Sequence, residues 1–93
     1  MEITDVRIKK AKNPGKRLAI ASVTFDDEFV VHDIKIIDGD SGMFISMPST
    51  KSMDGSFRDI AHPINTAMRD RLERAVLSAY EVFLAKEEAT EIE

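Results

Sequence analysis

Few side chains in this sequence could do chemistry, and their spacing limits what that chemistry would be. His62 follows Asp59 by three residues and precedes Pro63. An Asp–His general base with Ser49 or Ser56 as nucleophile is one reading of that block. Neither serine stands on a G-x-S-x-G elbow, so the expectation is that Asp59 and His62 hydrogen-bond backbone groups at a helix entry. His32 alternates onto the apolar face of a strand, where a histidine satisfied in a core or interface is expected rather than a ligand. No metal is expected. The two histidines lie thirty residues apart, cysteine is absent, and Asp38-Gly39-Asp40-Ser41-Gly42 lacks both the ligand spacing and the terminal glutamate of a calcium loop. Gly39, Gly42 and Gly55 complete neither a phosphate-cradling loop nor a dinucleotide fingerprint, so no cofactor is expected either. No enzyme signature survives, and no small-molecule substrate is implied.

Three groups of bases remain. Lys9, Lys10, Lys12, Lys16 and Arg17 flank the first turn; Lys51 and Arg58 bracket a polar loop; Arg69, Arg71 and Arg74 lie along a helical segment. Each group is by default solvated surface. Arg69 and Arg74 have helix partners in Glu73 and Asp70, which blunts them. The first group is unbalanced by local acids: residues 1–17 hold six bases against two acids, a local +4, within a chain whose net charge is −4. An acidic chain with one basic end is not the usual profile of a nucleic-acid binder. A localised basic face can still hold phosphate, and this group is the best candidate from charge alone. The aromatics Phe25, Phe29, Phe44, Phe57, Tyr80 and Phe83 are mostly expected in the core, which argues against a platform for stacking bases.

These residues must be positioned by a small number of elements. Ninety-three residues, 43% hydrophobic and 32% charged, suit one soluble domain with a single core. No apolar run exceeds four residues, so no membrane span is expected. Met1-Glu2-Ile3-Thr4-Asp5 lacks the pattern of a secretory signal, which makes the cytoplasm the default location. Ile3–Lys10 alternates as a strand and Asn13-Pro14-Gly15 turns the chain. Leu18–Phe25 reads as a strand covered on both faces. Asp26-Asp27 turns the chain again, into a long strand Phe29–Ile37 with Val30, His32, Ile34 and Ile36 on one face and Phe29, Val31, Asp33, Lys35 and Ile37 on the other. Met43–Met47 makes a fourth strand, 48–56 a polar loop turning at Asp54-Gly55, and Phe57–Ala61 a short edge strand. From Ile64 the apolar period becomes helical: Ile64, Met68, Leu72, Ala75, Val76, Ala79, Tyr80, Phe83 and Leu84. Pro63 suits the first turn, with Asn65 or Thr66 as cap.

The fold class is therefore α+β: an antiparallel four- to five-stranded sheet with one long C-terminal helix, forming a single domain over 1–85. The acidic segment 86–93 is expected to be a disordered tail. One helix covers one sheet face, which leaves Val31, Ile37 and their neighbours as an apolar patch on the other, so a homodimer is expected.

The run Phe29-Val30-Val31-His32-Asp33-Ile34-Lys35-Ile36-Ile37-Asp38-Gly39, then Gly42, Met47-Pro48-Ser49, and Asp54-Gly55-Ser56-Phe57-Arg58-Asp59-Ile60-Ala61-His62-Pro63-Ile64-Asn65 resembles the stage V sporulation protein G family of septation proteins. The resemblance begins at Met1 and runs into the helix. It implies a small cytoplasmic bacterial regulator that acts as a dimer. In spore formers the family is linked to asymmetric septation; elsewhere members bind DNA, and in some cases RNA, to regulate gene expression. The family commonly carries two adjacent bases after Met-Pro-Ser, in the loop tied to nucleic-acid contact. Here those positions are Thr50 and Lys51, so one charge is missing, while Arg58 matches. The expectation is a homodimeric, non-enzymatic regulator that binds DNA, and in one variant of the reading RNA, and influences septum formation. Lys51 and Arg58 would make the loop contacts, with Arg71, Lys9 and Lys10 as additional phosphate contacts. The alternative is a protein–protein interaction module in septation control that does not touch nucleic acid.

Overall fold

The computed structural model describes residues 1–11, 15 and 17–92, with side chains described through residue 86. Four strands, β1 (Ile3–Lys10), β2 (Arg17–Phe25), β3 (Phe29–Gly39) and β4 (Gly42–Ser46), form an antiparallel sheet in the order β1-β2-β3-β4. A separate two-stranded ribbon follows, β5 (Ser49–Lys51) with β6 (Phe57–Asp59), and the chain ends in helix α1 (Thr66–Ile92). The α+β expectation holds, with one revision: the predicted edge strand near Phe57 pairs with Ser49–Lys51 and not with the main sheet. Part of the segment read as loop is thus strand. The Asn13-Pro14 turn, Lys12 and Lys16 lie outside the described residues. So do the side chains of the acidic segment beyond Lys86, whose backbone continues the helix to Ile92.

The core lies between the helix and one sheet face. Leu72, Val76 and Tyr80, spaced four apart, are buried against Ala19, Ala21 and Val23 of β2, Ile34 and Ile36 of β3, and Ile45 of β4. The two alanines on the central strand leave room for the bulkier helix side chains. Each fully buried aliphatic side chain contributes about 1.5–3 kcal/mol. Two apolar helix positions fall outside this core: Ile64 is 90% exposed, before the helix begins, and Leu84 is exposed near its end. The helix is capped by Asn65, whose Oδ1 accepts from the Met68 N–H at 2.7 Å. Pro63 therefore precedes the cap and does not occupy the first turn.

A bulge in β3 decides which residues face which way. Ala21 pairs with Ile34 but Val23 pairs with Val31, so His32 and Asp33 together span the interval that Ser22 spans alone. Asp33 absorbs the extra residue with a left-handed backbone, φ 63°. A one-residue offset transfers every following side chain to the opposite face. Val31 consequently joins Ile34 and Ile36 on the helix side and packs against the core, which overturns its expected place on the open face. Ile37 does lie on the open face, beside its cross-strand neighbour Phe44. His32, expected among apolar neighbours, is exposed instead, with Nδ1 2.8 Å from the Ser22 hydroxyl.

Candidate nucleic-acid interface

The ribbon begins where β4 ends. Met47 and Pro48 are buried, and the Pro48 carbonyl accepts from the Ile60 N–H at 2.7 Å, which closes the base of the ribbon. Beyond that point all six strand residues of the ribbon are exposed. Its tip is organised by Asp54. One carboxylate oxygen accepts from the Ser52 hydroxyl at 2.6 Å, the Ser56 hydroxyl at 2.7 Å and the Ser56 N–H at 3.0 Å. Those bonds favour the charged form, led by Ser52, and lower the Asp54 pKa to about 2. Gly55 completes the turn at φ 89°, a conformation that glycine adopts without a steric penalty.

Register fixes the directions of the ribbon's bases. Thr50 pairs with Arg58 and Lys51 pairs with Phe57. Directly paired residues share a face and successive residues alternate, so Lys51 and Arg58 project from opposite faces of the ribbon. Thr50 is the direct cross-strand neighbour of Arg58.

The other candidate bases do not gather here. Arg71 is exposed, and its Nη2 donates to the Met1 carbonyl, tying the helix to the start of β1. Lys9 and Lys10 occupy the far end of that strand, about 25 Å away at the rise of an extended chain. They also diverge, because Lys9 pairs with Ile20 on the open face and Lys10 with Ala19 on the helix side. Arg69 reaches the Ile45 carbonyl at 3.2 Å, not Glu73, and among the described residues Asp70 and Arg74 close no ion pair.

The hydrolytic reading finds no geometry. The His62 Nδ1–H donates to the Pro63 carbonyl at 3.0 Å, a backbone contact at the helix entry. Among the described residues no three histidine or carboxylate side chains cluster as metal ligands would, and no helix is long and apolar enough to cross a membrane.

Sequence reasoning missed the ribbon itself. An Asp-Gly turn flanked by Ser52 and Ser56, with Thr50 and Phe57 beyond them, was the available signal for a hairpin. It also missed three exposed aromatics: Phe29, Phe44 and Phe57 lie at the surface, while Phe25 and Tyr80 are buried.

The SpoVG family profile matches residues 1–82. Relatives include the SpoVG proteins of Lachnospira eligens, 63% identical over 81 residues (87% of this chain, 92% of the relative), and of Clostridium acetobutylicum, 60% identical over 88 residues (95% and 93%). That of Clostridium kluyveri is 57% identical over 91 residues, covering 98% of this chain and 95% of the relative. These relatives are named for septation and not for a reaction. A profile match over most of the chain, at such identity and coverage, means that this chain belongs to the SpoVG family.

Proposed function

We propose that this chain is a non-catalytic, cytoplasmic regulator that binds DNA through its protruding ribbon, works as a homodimer and influences division septum formation. The observation that carries this reading is the ribbon: six exposed strand residues, a tip held by Asp54, and one base on each face. The major groove of duplex DNA, about 12 Å wide, admits a two-stranded ribbon. A β-layer with its side chains is about 10 Å thick. Entering edge-on, the ribbon turns Lys51 toward one phosphate wall and Arg58 toward the other. Arg71 keeps donors free beyond the one bound to Met1, and Lys9 and Lys10 add phosphate contacts at the other end of the body. Phosphate contacts of this kind fix position without reading sequence.

The septation role is drawn from the names of the relatives. The homodimer is supported by apolar groups at the end of the sheet near the helix entry. Phe29 and Ile60 are about two-thirds exposed; Phe29 lines an apolar cleft with Met1, Val31, Pro63 and Met68, and Ile60 directly precedes Ala61 of the same cleft. A specific observation also favours the rival, a protein-docking module: Met53 and Phe57, both on the ribbon, are exposed and apolar. Fluorescence anisotropy with labelled duplex DNA separates the two. Saturable binding that weakens steeply as salt rises supports the DNA reading. Absence of binding at low salt overturns it in favour of a protein partner.

A further inference from the structure

Among the described residues, β1 has a strand beside it on one side only, β2. A bulge interrupts the start of β1, and its register is regular from Asp5 to Lys10. Alternate N–H and C=O groups of such an edge strand point outward without a ladder partner, a template for another extended chain. The opposite edge is less open. There β4 runs five residues, and its Ile45 carbonyl accepts from Arg69 at 3.2 Å.

Strand β1 and the helix enclose a groove of about 600 Å³ along this edge. Val6 and Ile8 pair with Val23 and Ala21 of the buried face, so they point to the helix side, where they stay half-buried. Ala75, Ala79 and Val82 form the helix wall. Val82 is apolar yet 56% exposed. The groove follows the strand from Ile3 to Ile8, about 20 Å at the rise of an extended chain.

Charge chooses among the possible occupants. β1 carries three bases and one acid, a net of +2 on a chain whose total is −4. Two copies of β1 laid side by side would set like charges against each other, which destabilises a strand pair. A second copy is therefore a poor occupant, and an acidic strand is a good one. Asp5 accepts from Arg7 Nε at 3.0 Å, and the Arg7 side chain is 84% exposed, with its terminal nitrogens beyond that bond. Arg7 pairs with Ser22 on the open face, so it lies beside the outward positions of any strand added to β1.

We infer that β1 and α1 form a docking groove for an extended acidic peptide of a partner protein, which adds to the sheet as a further strand. Every second side chain of that peptide is apolar and enters the groove against Val6, Ile8 and Val82. Those between are acidic and lie beside Arg7. Main-chain bonds to the strand edge supply affinity, and the alternation supplies specificity. The groove uses neither the ribbon nor the bases assigned to phosphate, so it stands or falls apart from the DNA reading.

The test uses the full chain and a labelled peptide of alternating valine and glutamate, as long as β1. Anisotropy should show saturable binding. Amide exchange read residue by residue should slow at every second N–H of β1 and stay unchanged in β4 and the ribbon. Methylating the peptide amides of one parity should abolish binding while the other parity is tolerated, because an added strand bonds along one edge. Val82→Asp sets a carboxylate against an acidic ligand and should weaken the peptide about tenfold or more, with thermal unfolding and duplex DNA binding unaltered. Arg7→Glu, on the other face of the strand, should weaken it in the same direction. Absence of peptide binding, protection away from β1, equal loss with either parity methylated, or both variants binding as the wild type does overturns the groove. If the outward N–H groups are already protected in the free chain and that protection falls on dilution, a second copy holds the edge and the groove is refuted.

Discussion

Because Lys51 and Arg58 project from opposite faces of the ribbon, removing them one at a time tests how the ribbon meets DNA. Edge-on entry gives each base its own phosphate wall. Each single alanine variant then removes one contact and lowers the log–log salt slope by about 0.9, and the double variant lowers it by about 1.8. Between about 200 mM and about 50 mM salt, the ratio of wild-type to variant affinity should grow about 3.5-fold for either single change and about 12-fold for both. Both side chains are exposed, so the folded state should change by no more than about 0.5 kcal/mol and thermal unfolding should be unaltered. The assay is anisotropy titration on one labelled duplex across a salt series, repeated on an unrelated sequence to confirm a uniform loss. If one single variant takes the whole effect and the other none, the ribbon lies flat with only one face on DNA. If neither changes the slope, the ribbon does not bind phosphate at all.

Three further outcomes follow from local geometry. Asp54 has a folded pKa of about 2 against an ordinary 3.8, so its bonds to Ser52 and Ser56 stabilise the tip fully above about pH 4 and are lost as pH falls through 2; an NMR carboxylate titration with a midpoint near 3.8 would contradict the tip structure. Asn65→Ala removes the oxygen that accepts from the Met68 N–H and should cost about 1 kcal/mol in urea denaturation, with an unchanged midpoint arguing against the cap. At the bulge, Asp33→Val should be less stable than Asp33→Gly by about 1–2 kcal/mol, because a β-branched residue resists the left-handed backbone that glycine accepts; equal midpoints would mean that the bulge is absent.

Much of the fold was legible because its signals are local. Alternation in Ile3–Lys10, β-formers in Leu18–Phe25 and the helical spacing of Leu72, Val76 and Tyr80 each report on a neighbourhood of a few residues. The candidate site was legible in part. Lys51 and Arg58 could be picked out by charge and family resemblance, but not the ribbon that separates them onto two faces. That arrangement depends on pairing between strands with a turn between them.

The amino-acid sequence by itself determined the class of the molecule, its single core, its helix and turns, and its family. The tertiary structure alone decided which side of the sheet each residue faces. One extra residue at His32-Asp33 reverses the alternation of β3, bringing Val31 to the core and His32 into solvent. Where such an extra residue is inserted is set by the pairing of β3 with Ser22 on the neighbouring strand, a contact that no period within β3 records.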